Sequence, residues 1–198
     1  MRPKLNNHIC SIYRYPSEQL HVTLQHFVKG LLDNQKCVYI ADEKSRNDLV
    51  KELKNTFENV EEMIKNKQLV LLDSELVYTN NESLPTTEIL KFAIEIEVQS
   101  KKEGFSKVTF SGVPHLKSGE RLENEVLKYE EMIDDFSKKS DSIIICNCNE
   151  SYFQQNTLLK LIKKHNYIII YGERYKIEKN SLPDSYNEAI DFILTNKK

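Results

Sequence analysis

Glycine is scarce in this chain, with five in 198 residues, and tryptophan is absent. A phosphate-binding loop needs glycines so that its amides can point inward, and a lysine to reach the phosphates. The first strand-to-helix turn, inside HICSIYRYPSEQ (residues 8–19), has neither. It offers Glu18, which would repel a phosphate. SGVPHLKSGE (residues 111–120) has glycines at the wrong spacing. These absences exclude ATP or NAD binding by the usual motifs. Proline is also scarce, at five residues, and no repeat or low-complexity segment occurs. The apolar runs reach about five residues, against the roughly 20 needed to cross a bilayer. MRPKLNNHIC has no apolar stretch like a signal peptide. A cytoplasmic protein with no membrane partner is expected. Lys and Arg number 28 against 30 Asp and Glu, a net charge of −2. With no basic excess, nucleic acid is not expected as a direct partner.

What is present is regular alternation. HICSIY (8–13), CVYIAD (37–42), LVLLD (69–73), KVTFSGV (107–113), SIIICNC (142–148) and YIIIYGE (167–173) read as strands. Between them, apolar residues recur at helical spacing. Leu20, Leu24, Phe27, Val28 and Leu31 mark one helix. Residues 43–66 are helical with a break near Asn59. A helix from Thr87 to Glu103 ends on Gly104 as its cap, and another follows Leu122, Val126, Tyr129, Ile133 and Phe136. The last core helix runs from Tyr152 to His165. Near-continuous apolar strands separated by helices predict a doubly wound α/β fold: a mostly parallel sheet with helices on both faces. The α/β domain is placed at residues 1–180, and residues 181–198 form a C-terminal helix and tail.

Such sheets bind ligands beyond the carboxyl ends of their strands. The crevice residues are then Tyr13, Arg14, Tyr15, Glu18, Asp42, His115 and Asn147, a set of aromatic and polar groups suited to a small organic molecule. Turn chemistry competes with that reading, with Pro16 fixing the turn and Ser17 capping the next helix. His8 and Cys10 share one face of the first strand, and Cys146 and Cys148 share one face of the fifth. If those strands are neighbours, the four could hold zinc or iron. Plain core packing of small hydrophobes and a redox-sensing thiol are the other readings. His165 is read as a cation favoured at a helix end. Glu130, beside Glu131, Asp134 and Asp135, is read as part of a solvated helix face. The helix through Val126 and Ile133 also fits a short coiled-coil seam, so a homodimer through it or through the tail is the alternative to core packing.

HICSIY, FVKGLLDNQKCVYIAD, EGFSKVTFSG, KYEEMIDDF and IIICNCNESYF leading to KKHNYIIIYGE resemble, in order, the MEDS domain. This is the methanogen/methylotroph sensory domain named partly for a dichloromethane-utilisation regulator. The resemblance implies a RecA-like core that has lost its phosphate-binding loop. It also implies a non-catalytic sensor of small hydrocarbon derivatives in prokaryotic signal transduction or transcriptional regulation, working with an output partner protein. The family's motif residues correspond to His8, Cys10, Glu130, Cys146 and His165. Two departures stand out. Val113, Pro114, His115 and Leu116 replace an acidic residue and an aromatic after the fourth strand, and Cys148 replaces an aromatic. No helix-turn-helix or kinase output is visible, so a stand-alone sensor or a fragment of one is expected. The alternatives are a degenerate RecA-like nucleotide-binding enzyme and a ligand-free interaction module.

Overall fold

The computed structural model describes residues 7–78, 84–113 and 120–196, with the backbone alone for residues 120–122. Seven strands form one sheet: β1 (His8–Tyr13), β2 (Lys36–Ala41), β3 (Leu69–Asp73), β4 (Val108–Gly112), β5 (Ile143–Asn149), β6 (Tyr167–Ile170) and β7 (Glu173–Lys176). Their order is β3-β2-β4-β5-β1-β6-β7. All neighbours are parallel except β6 and β7. The helices are α1 (Pro16–Leu32), α2 (Glu43–Lys54), α3 (Val60–Lys65), α4 (Ser74–Tyr78), α5 (Thr86–Lys102), α6 (Glu120–Ser137), α7 (Gln155–Lys164) and α8 (Tyr186–Thr195). None is long and apolar enough to cross a membrane.

The expected doubly wound architecture is present. Alternating residues of each strand serve opposite faces. Tyr13, Cys37, Tyr39, Ala41 and Leu69 pack under α1, α2 and α3. Val38, Ile40, Phe110, Ile144 and Cys146 pack against α4, α5 and α6. Cys10, Ile12, Cys148, Ile168 and Ile170 meet α7 and α8. Connections leaving β1 and β2 run along the first face, and those leaving β3, β4 and β5 along the second. The direction changes between β2 and β4.

Several boundaries differ from the sequence reading. YIIIYGE is not one strand. It folds back at Tyr171 and Gly172, whose φ values of 52° and 89° make a two-residue hairpin turn. The polar ERYK then pairs as the edge strand β7. Helix α1 begins at Pro16, and Tyr15 takes the cap position expected of Ser17. Pro suits this first position because its missing N–H would lack an intrahelical partner anyway. Gly104 follows α5 with φ 86°, as its expected cap role requires. Helix α8 packs beside α7, with Tyr186, Ala189, Ile190 and Ile193 buried in the core. Val126, Tyr129 and Ile133, which fit a coiled-coil seam, face the domain's own core.

Candidate functional site

Strand order sets the carboxyl ends of β2, β4, β5 and β1 side by side. Four of the crevice residues there have structural duties. Glu18 reaches back to the backbone N–H groups of Arg14 and Tyr15, at 2.8 and 3.2 Å. Asp42 caps α2 by accepting from the Ser45 N–H and hydroxyl. Arg14 donates to Glu150 and lies over the Tyr171 ring, 4.2 Å from its centroid. Asn147 is buried under α1 and donates to Ser111 Oγ and the Gly112 carbonyl. Tyr13 is buried on the α1 face, while Tyr15 is exposed. His115 lies outside the described residues. Tyr13, Arg14 and Tyr15 therefore point different ways rather than lining one cleft.

Asn147 belongs to a buried polar layer between the sheet and α1. The Tyr39 hydroxyl donates to Gln19, Gln19 donates to Thr23, and Thr23 shares a hydrogen bond with Ser111. Burial and the nearby Asp42 and Asp48 raise the Tyr39 pKa to about 12 against the Gln19 and Ser45 hydrogen bonds, so its phenol stays neutral. Asn147 Oδ1 and Ser11 Oγ complete this layer without a hydrogen-bond partner among the described residues.

The opposite face holds a second polar cluster. β1 and β5 are neighbours, with Cys10 and Cys146 in register. The four candidate metal ligands nevertheless fall into two pairs. Cys10 and Cys148 neighbour each other deep in the apolar core, where this contact and burial raise the Cys10 pKa. His8 Nε2 instead meets Cys146 Sγ at 3.4 Å. Two side chains outside that set join them, one from α6 and one from the end of α7. Glu130 Oε2 lies 3.2 Å from His8 Nε2 and 3.7 Å from His165 Nε2. The two imidazoles meet edge to face, 4.7 Å between centroids.

Two sequence readings are corrected here. Glu130 is 2% exposed and so is not part of a solvated helix face, and His165, read as a helix-end cation, is 3% exposed. Glu130 follows Val126 by four residues and precedes Ile133 by three, which puts it on the buried side of α6. The run EEMIDD hides that periodicity. The Leu161 carbonyl can only accept, so His165 Nδ1, 2.8 Å away, carries the hydrogen. Burial lowers the His165 pKa and favours the neutral ring, whose Nε2 is then a bare lone pair. That lone pair faces a carboxylate. Burial acts to raise the Glu130 pKa, but the facing His8 ring and the Cys146 thiol outweigh it and lower the value. Neither Glu130 Oε2 nor His8 Nδ1 has a hydrogen-bond partner among the described residues.

The cluster borders an apolar seam. Two adjoining voids of about 20 and about 10 Å³ lie between β4–β5 and helices α4, α5 and α6. Phe110, Ile89 and Ile133 supply the apolar walls, while Tyr78, Tyr129 and Cys146 line both voids. The Tyr78 hydroxyl occupies the place where a side chain at Gly112 would begin. Burial raises the pKa of Tyr129 and of the Cys146 thiol.

A family model for the methanogen/methylotroph, DcmR sensory domain matches residues 7–166. The chain belongs to the MEDS family. The matched span runs from the residue before His8 to the residue after His165, so it holds all four members of the buried cluster. A comparison with curated proteins found no match. The MEDS match supports a sensory role, and β6, β7 and α8 lie beyond its end.

Proposed function

We propose that this MEDS domain is a non-catalytic sensor that binds a small, mainly apolar organic molecule in the seam beside Tyr78, Tyr129 and Cys146. The observation that carries the reading is the adjacency itself. An apolar space abuts a short polar wall, which suits a ligand with a hydrocarbon or halocarbon body and at most one weakly polar end. At about 20 Å³ the larger void holds one water-sized body. A ligand must therefore displace Tyr78 from its place over Gly112, and that displacement is the signal. Binding favours the arrangement with α4 moved and shifts the population toward it. An output partner protein in transcriptional or other signalling control would read the shift. The buried phenols of Tyr78 and Tyr129, held protonated, suit recognition better than nucleophilic chemistry.

Intrinsic fluorescence tests this directly, because the chain has ten tyrosines and no tryptophan. Dichloromethane and short-chain alcohols, titrated into the protein, should change tyrosine emission saturably. Tyr78→Ala should enlarge the space and alter the affinity at least several-fold. A linear, unsaturable response in both proteins sinks the reading.

A further inference from the structure

We propose that His8, Glu130, His165 and Cys146 form a binding site for one divalent transition-metal ion of the zinc class. The inference stands on the geometry of the cluster and does not rest on the organic-ligand reading. His8, Glu130 and His165 each offer a donor atom, and these atoms lie within 4.8 Å of one another. Cys146 Sγ lies 3.4 Å from His8 Nε2 and close enough to Glu130 for the carboxylate to raise its pKa. In a tetrahedral zinc site, nitrogen and oxygen ligands lie about 3.3 Å apart, and nitrogen and sulfur about 3.6 Å. The cluster shows 3.2 Å for His8–Glu130, 3.7 Å for His165–Glu130 and 3.4 Å for His8–Cys146.

The hydrogen-bond pattern points the same way. Glu130 Oε2 is fully enclosed and makes no hydrogen bond among the described residues, although a buried carboxylate oxygen should accept one. His165 directs its hydrogen at Leu161, which leaves Nε2 free as a ligand atom. Fixing one ring nitrogen on a carbonyl in this way is how metal-binding histidines are oriented. His8 Nδ1 faces Asp134 Oδ1 at 3.9 Å, the arrangement of a carboxylate supporting a metal-bound imidazole. Two imidazoles, a carboxylate and a thiol suit zinc, with iron(II) as the competitor.

Charge and access also fit. Loss of the Cys146 thiol proton to solvent gives a thiolate, which with the Glu130 carboxylate neutralises a divalent ion. Glu130 and His165 also line an open depression whose rim carries Glu131, Asp134 and Asp135. Cations would enter there, past the ion pairs of Lys138 with Asp134 and Asp135 and of Lys164 with Glu131.

The test uses the whole chain, stripped with chelator and titrated with zinc or cobalt(II) alone. One ion per chain should bind. Cobalt should give intense tetrahedral d–d absorption and a near-ultraviolet thiolate charge-transfer band. Cys146→Ser should abolish that band and weaken zinc binding at least tenfold, whereas Cys10→Ser should leave both unchanged. Glu130→Gln should weaken binding at least tenfold, with its fold checked by circular dichroism. The wild-type cobalt spectrum decides the matter even if that variant fails to fold. Weak, non-stoichiometric binding, a spectrum without the thiolate band, or full binding by Cys146→Ser overturns the proposal. A failed metal titration leaves the tyrosine response to organic ligands unaffected, so the two readings fail separately.

Discussion

Glu150 shows how one side chain fastens three separated parts of the chain. Its carboxylate accepts from Arg14 in the β1–α1 turn, from the Tyr171 hydroxyl in the β6–β7 turn and from the Tyr186 hydroxyl at the start of α8. Burial acts to raise its pKa, and these three donors lower it further than burial raises it. The folded-state pKa is thus below the unfolded one, near 4.3. Stability from this group is present above about pH 4.3 and is lost as pH falls through the folded-state value. Glu150→Gln should therefore flatten the acid limb of the stability curve. Urea melts at several pH values between about 6 and about 3 would show it. Parallel curves for variant and wild type would mean that Glu150 carries no pH-linked stability.

Among the elements, α8 matters beyond its short length. Its buried residues cover Leu158, Leu161 and Ile162 of α7, which are themselves almost fully enclosed. Each such side chain is worth about 1.5–3 kcal/mol when buried. A chain ending at Ser181 should lose several kcal/mol, and its urea transition should broaden or disappear. An unchanged midpoint would show α8 to be dispensable. The elements also show what sequence can reveal. The six parallel strands were legible because a strand covered on both faces is apolar throughout. ERYK was not, because an edge strand need bury only one side and the turn before it uses Tyr171 at positive φ, which lacks the usual Asn-Gly signal. Ser74–Tyr78 was hidden for a different reason, being too short to show a helical period. In the candidate site, His8 and Cys146 were legible from the parity of two strands. Glu130 and His165 were visible only through the family resemblance, because a charged side chain on a helix reads as solvated until its partners across the fold are known.

At the scale of the whole molecule, all four cysteines are free and buried, spread over three apolar clusters on the two faces of the sheet. Burial raises the Cys37 pKa, and the same cause contributes at Cys10 and Cys146. An aromatic disulfide reagent should therefore find no fast-reacting thiol in the native protein and four in urea. Native reaction should track global unfolding, and one thiol reacting at its free rate would contradict the packing. The sheet order has another effect, on the making of the protein. The first strand, β1, lies between β5 and β6, so its hydrogen-bonding edges stay open while about 130 further residues, Arg14 to Ser142, leave the ribosome. At roughly 5–20 residues per second that wait is on the order of ten seconds. During it an apolar strand has no native neighbour, and a chaperone that shields HICSIY would protect the nascent chain at its most exposed moment.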